Sequence, residues 1–126
     1  MLQKLLKPKW KHSKPAVRRE ALMALAPSSA ETQAIISEVI SNDTDLGVRR
    51  LAVKRSTDMA LLKKLADDIT QAELAADAGK RLGRLLAGQE DLSPPLSERL
   101  DFIANLANPT IETYLLREAE EADVRL

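Results

Sequence analysis

Cysteine is absent from the 126 residues, aromatics make up only 2%, and histidine occurs once. The first absence excludes disulfide frameworks, thiolate metal sites and cysteine nucleophiles, and fits a reducing compartment, so the cytoplasm is the expected location. With His12 as the single histidine, no histidine pair can hold a metal, and no acidic spacing has the form of a calcium loop. As a general base His12 would need an orienting partner and a nucleophile, but lysines and a serine surround it, which suits a surface or hinge histidine. No stretch approaches the roughly 18 apolar residues of a membrane span, and the basic segment Met1 to Lys11 lacks the apolar run of a signal peptide. A soluble chain without a membrane partner is expected.

What the chain does contain is aliphatic. Hydrophobic residues reach 44%, and because Leu and Ala dominate them, the core is expected to be built from closely packed helices rather than sheets. The length suffices for one domain that folds without metal or disulfide. Net charge is zero, yet residues 1–63 hold 12 Lys/Arg against 6 Asp/Glu, and residues 64–126 hold 7 against 13. A basic first half suits an anionic partner, or gives the chain a dipole that orients association.

The order within this composition comes from an internal repeat. Val17, Arg18, Arg19 and Ala21 lie 31 residues before Val48, Arg49, Arg50 and Ala52. After the same interval again come Gly79, Lys80, Arg81 and Gly83, and a fourth copy, Asn108 to Leu116, keeps the proline and apolar positions. Each copy lies in a helix preceded by a second amphipathic stretch, so the period holds a helix pair. The pairs expected are Leu2 to Lys7 with Lys14 to Ala26, Ala30 to Ser41 with Asp45 to Arg55, Asp58 to Asp67 with Thr70 to Ala87, and Pro95 to Ala107 with Pro109 to Ala122.

Punctuation supports these boundaries. Pro15 and Pro109 suit first-turn positions after Ser13 or Lys14 and Asn108. Ser28-Ser29, Ser56 or Thr57, Thr70 and Ser93 are the expected caps elsewhere, and Asn42 to Asp45 is expected to form a turn that sets acidic residues ahead of a helix start. Apolar faces recur at helical spacing: Ile35, Ile36, Val39 and Ile40; Met59, Leu62 and Leu65; Leu100, Ile103, Ala104 and Leu106. One pair cannot bury such a face alone, so pairs are expected to stack. The fold expected is all-α, an α-solenoid of about four helix pairs, with units near 1–27, 28–56, 57–88 and 93–122 in a single domain.

On the Val-Arg-Arg openings at Val17 to Leu22 and Asp45 to Val53, the chain resembles short HEAT-like repeat proteins, although its 31-residue period is below the roughly 40–47 residues of standard HEAT units. The segment Leu5 to His12 with Pro15 to Arg18 resembles the amino-terminal HEAT-like region of proteobacterial proteins with the domain of unknown function three-four-nine. That resemblance implies a fragment of a longer chain and brings no catalytic residues. The ending Ala122 to Leu126 reads as the start of a further repeat or as an acidic tail.

The basic groups Arg18-Arg19, Arg49-Arg50 with Lys54-Arg55, and Lys80-Arg81 with Arg84 are the main candidate site. Stacked in register they would form a ladder able to follow phosphates; alternatively the first arginine of each pair is bound to acids such as Asp45, Asp77 or Glu20. Trp10, between Lys9 and Lys11, is either a partner anchor or a residue folded back over the end of the stack. The clusters Asp67-Asp68, Glu90-Asp91 and Glu118 to Asp123 suit solvated charge, and Ala75, Ala76, Gly79 and Gly83 suit close helix packing rather than a phosphate loop. No catalytic residue, cofactor or metal site is expected, nor a small-molecule substrate. The function expected is a scaffold that binds another protein or other domains of a parent chain, with Trp10, Lys9, Lys11, Arg18, Arg19, Arg49, Arg50, Lys80, Arg81 and Arg84 as candidate partner-binding residues, the alternative being nucleic acid bound through the basic arginine ladder of the N-terminal half.

Overall fold

The computed structural model describes residues 8–121, with side chains through residue 118. Among these residues there are seven α-helices, one 3-10 turn at Lys9–Lys11, and no strand. The helices are α1 (Pro15–Ala24), α2 (Ala30–Asn42), α3 (Leu46–Arg55), α4 (Met59–Ala66), α5 (Ala72–Leu86), α6 (Leu96–Ala104) and α7 (Pro109–Glu121). The expected segment Leu2 to Lys7 and the ending Ala122 to Leu126 lie outside the described residues, as do the side chains of Glu120, Glu121 and Asp123.

Local chemistry sets the ends. Asp45 Oδ2 accepts from the Val48 amide at 2.9 Å and Asp58 Oδ1 from the Leu61 amide at 3.1 Å, each meeting a donor that a helix start leaves unpaired. Asp58 therefore caps α4, in place of the expected Ser56 or Thr57. Thr70 is no cap either: its amide and hydroxyl turn back onto Asp68 Oδ1, and α5 begins after Gln71 with no side-chain cap. Asn108 Oδ1 accepts from the Ile111 amide while Glu112 Oε1 accepts from the Asn108 amide, a reciprocal arrangement at the start of α7. Helix α5 ends in a Schellman motif, with Gly88 at φ 75° and Gln89 N–H donating to the Arg84 carbonyl at 3.0 Å. Helix α6 stops at Ala104, short of the expected Ala107. Ala107 takes a left-handed φ of 47°, and Pro109 bars the helical conformation from the residue before it.

The chain divides into two compact units, Met1–Ser56 and Thr57–Leu126, at the boundary expected between the second and third helix pairs. In the first, α2 packs along α3, α1 packs on α3, and the 3-10 turn packs on α1. Leu22, Ile36, Ile40, Val48, Ala52 and Val53 are fully buried there, the larger of them stabilising the fold by about 1.5–3 kcal/mol each. Gln33 Nε2 donates to the carbonyls of Pro27 and Arg55, and Arg55 Nη2 donates to the Leu25 carbonyl at 2.8 Å, tying the end of α3 to the turn between α1 and α2.

In the second unit α4 packs along α5, and α5 also carries α7 and, more lightly, α6. Leu62, Leu74, Ala78, Leu82, Leu85, Leu86 and Leu106 are fully or almost fully buried. Helix α6 buries no residue. Of its expected stripe only Leu106, beyond the helix end, reaches the core, while Leu96 and Leu100 are exposed. Where α6 meets only one helix closely, half an apolar face stays in water.

The repeat holds best in the first unit. Leu22 and Val53, 31 residues apart, are both fully buried. In α5 the same interval leads to Arg84, which is exposed. The buried positions are instead Ala78, Leu82 and Gly83, 30 residues after Val48, Ala52 and Val53, so the third copy has slipped by one residue.

Candidate functional site

Among the cationic candidates of the first unit, Arg18, Arg49 and Arg50 are engaged, while Lys9, Lys11 and Arg19 are exposed. Arg18 grips Asp43 with two bonds, Nε to Oδ2 at 2.8 Å and Nη2 to Oδ1 at 3.0 Å, and its Nη1 donates to the carbonyls of His12 and Ser13. Both side chains are nearly out of water, at 11% and 6% exposure. This bidentate pair binds the start of α1 to the turn between α2 and α3. Its acid is Asp43 rather than Asp45, Asp77 or Glu20, because Asp43 is the residue that caps the end of α2. Arg49 Nε donates to the Ile40 carbonyl at 2.7 Å, near the end of α2, where a cation meets the negative pole of the helix. Arg50 is half-buried and engaged as well. Arg19 is exposed, 3.8 Å from Asp45 Oδ2, too long for a hydrogen bond.

Lys9 and Lys11 are exposed on either side of a half-buried Trp10, and Lys11 Nζ sits 4.9 Å from the ring centroid. The ring folds back onto the unit, where with Arg18, Glu38 and Val39 it borders a shallow cavity of about 250 Å³. His12 serves the entry to α1: its Nδ1 accepts from the Lys14 amide at 3.0 Å.

In the second unit Arg81 and Arg84 share Glu90, Arg81 through Nη1 and Arg84 through Nη2 at 3.0 Å to Oε2. The Glu90 carboxylate beside it raises the Arg84 guanidinium above its ordinary range. Lys80 is exposed and has no ion-pair partner among the described residues. The candidates thus divide: Arg18, Arg49 and Arg81 are turned onto protein acceptors, while Lys9, Lys11, Arg19, Lys80 and the outer part of Arg84 face water.

Lys80 and Arg84 stand on the rim of a groove of about 590 Å³ bordered by the end of α4, the middle of α5 and the start of α7. Its floor is made of Ala66, Ala75, Ala76, Gly79 and Ile111, and Asn108, Thr110 and Tyr114 complete it. Most of its exposed lining is apolar, and each charged side chain in it is a cation. The expected small-residue stripe of α5 has two fates here. A Cβ on Gly83 would come within 2.9 Å of Tyr114 Cδ2, so Gly83 admits the ring, as close packing requires. A Cβ on Gly79 would meet nothing within 4 Å. Gly79 has no positive φ to need glycine, and a mid-helix glycine is about 0.5–1 kcal/mol less stable than alanine. The space above it is left open at a cost to the helix.

Tyr114 is fixed at both ends. Its hydroxyl donates to Gln89 Oε1, and Gln89 Nε2 donates to Glu118 Oε2 at 2.8 Å. Burial pushes the phenol above its ordinary value, with Glu118 adding to the shift. Asn108 Nδ2 donates to Asp67 Oδ1 at 2.9 Å, and Lys63 Nζ sits 2.6 Å from Asp67 Oδ2. Those bonds, Lys63 first, hold the Asp67 carboxyl below its ordinary value. The polar groups around the groove therefore fix its walls rather than converge on a reacting atom.

Among the described residues no group of three His, Cys, Asp or Glu is placed to hold a metal ion, and no helix is long and apolar enough to cross a membrane. The groove was missed from sequence because the signal that marks it, Ala75, Ala76 and Gly79, is the same one that marks a helix contact. No protein-family model matches the chain, and no curated protein or solved structure matches it.

Proposed function

We propose that the chain is a non-enzymatic binding module of HEAT-like character, a cytoplasmic scaffold whose helix pairs stack as a short solenoid. Its partner is another protein, or another domain of a parent chain like those with the domain of unknown function three-four-nine. Within each unit, helices that end successive expected pairs pack on one another, α1 on α3 and α5 on α7, which supports the stacked reading. The observation that carries the binding reading is the apolar groove of α4, α5 and α7, held open at Gly79 while Arg18, Arg49 and Arg81 are spent on internal bonds. A surface that excludes water from small apolar side chains suits a protein ligand, whereas a phosphate ladder needs its cations free.

A photo-crosslinking residue in place of Thr110 at the groove, with one in place of Ala34 on exposed α2 as control, tests this reading. A discrete protein adduct at Thr110, reproduced with the purified partner, is the expected result. The second reading is nucleic acid at the first unit, favoured by Lys9, Lys11 and Arg19 exposed around Trp10. Absence of protein adducts, together with binding of labelled duplex or single-stranded DNA or RNA that falls steeply with salt and is lost in Lys9→Glu/Lys11→Glu, overturns the first reading in favour of the second.

A further inference from the structure

Resting on the protein-binding reading, we infer that the groove of α4, α5 and α7 takes an acidic amphipathic helix from the partner, its aliphatic stripe on the Ala75, Ala76 and Gly79 floor and its carboxylates on Lys80 and Arg84. Three observations lead there. First, the floor consists of alanines, a glycine and one isoleucine, and Gly79 has open space where a side chain would stand. Small residues let the backbone of an incoming helix approach closely and leave the volume for the partner's side chains. The groove's roughly 590 Å³ is within the usual size of a ligand site.

Second, the backbone of the guest needs partners. Among the described residues the unit has no strand, so no sheet edge is present to pair with an extended peptide. A helix satisfies its own amides and carbonyls and needs only an apolar contact. Third, the unit Thr57–Leu126 holds 8 basic and 14 acidic residues, yet the charged groups lining the groove are Lys80 and Arg84. Lys80 has no ion-pair partner among the described residues. Arg84 keeps half its side chain in water beside Glu90. Two cations at an apolar slot in an acidic unit select for carboxylates flanking the guest's apolar stripe and against a basic helix.

The test uses three fluorescein-labelled synthetic peptides of about 18 residues, long enough for five helical turns. One carries leucines at helical spacing flanked by glutamates, one the same leucines flanked by lysines, and one the glutamates with serine for leucine. Anisotropy titrations against the full chain are expected to show micromolar binding of the first alone, weakened about tenfold or more by Gly79→Leu. Lys80→Glu should also weaken it and flatten its salt dependence. Met23→Glu, on exposed α1, should leave it unchanged, and circular dichroism verifies that each variant is folded. Equal binding of the lysine-flanked peptide, no binding of any peptide, or binding that survives Gly79→Leu overturns the inference. In each of those cases a protein adduct at Thr110 would still uphold the broader binding reading, so the two fail separately.

Discussion

Two glycines four residues apart on α5 should respond to the same substitution with opposite signs. At Gly83 a new methyl would stand 2.9 Å from Tyr114 Cδ2 and 3.1 Å from Cε2, distances at which the ring must move. The ring is not free to swing away, since its hydroxyl is bound to Gln89 and Gln89 to Glu118. Overpacking of this kind costs about 1–3 kcal/mol, offset by the roughly 0.8–1 kcal/mol that alanine gains over glycine inside a helix. Gly83→Ala should therefore destabilise by about 1 kcal/mol. At Gly79 the helix gain stands alone, because no atom lies within 4 Å of the new methyl, and Gly79→Ala should stabilise by about 0.5–1 kcal/mol. Urea unfolding followed by far-ultraviolet circular dichroism separates the two, and thermal midpoints should differ by several degrees. Combining Gly83→Ala with Tyr114→Ala should abolish the penalty at position 83, since the substituted pair no longer meets. If both glycine variants shift stability in the same direction, Tyr114 is not seated on Gly83 and the groove wall it forms is wrongly drawn.

Two further outcomes are expected. Arg18→Ala leaves Asp43 in a site where its side chain is only 6% exposed. Loss of one partner from such a pair should lower stability by about 2–4 kcal/mol, whereas Arg19→Ala, losing a long exposed contact, should change it by less than about 0.5 kcal/mol; Trp10 fluorescence reports the first unit in both. In acid, Asp67 responds in the opposite sense to a buried acid: its folded-state pKa lies below its ordinary 3.8 because Lys63 and Asn108 bond the charged form. Its contribution is therefore present above that value and lost as pH falls through the lower folded one, leaving pH 5–7 flat and the decline below about pH 4. Asp67→Asn should soften that decline by only a few tenths of a kcal/mol, since the pair is exposed and screened by water.

The helices were legible because several signals agree at each boundary. Around α3, Asp45 caps the start, Val48, Ala52 and Val53 recur at the spacing of one face, and Arg55 closes the end. Around α4 to α5 the signals compete. Ser56, Thr57 and Asp58 are three successive cap formers, and only the built turn decides for Asp58. Helix α6 shows a second limit, since Leu96, Leu100 and Ile103 have the period of a buried face, but periodicity records what a helix can bury and not whether a neighbour arrives to cover it. The groove eluded the sequence for the converse reason. Ala75, Ala76, Gly79 and Gly83 look alike as letters, and the distinction lies in Tyr114, some thirty residues away, which reaches Gly83 and not Gly79.

The same one-residue slip accounts for the cation at the groove. Successive helical residues point about 100° apart, so the two members of a basic pair can face the core unequally, as they do in α1 and α5, whereas Arg49 and Arg50 of α3 are both half-buried. In α1 the first member is inward, with Arg18 at 11% exposure against 46% for Arg19. In α5 the order is reversed: Arg81 is the inward member, at 11% exposure and bound to Glu90, and Lys80 is outward. The reversal goes with burial of Ala78 and Leu82, 30 residues after Val48 and Ala52, while Gly79, 31 residues after Val48, is only half-buried. Had that interval held through the third copy, Lys80 would occupy the inward place of Arg18 and Arg81 the outer one. A repeated basic pair therefore does not define a repeated basic surface here, and the side chain that the slip releases, Lys80, lines the groove.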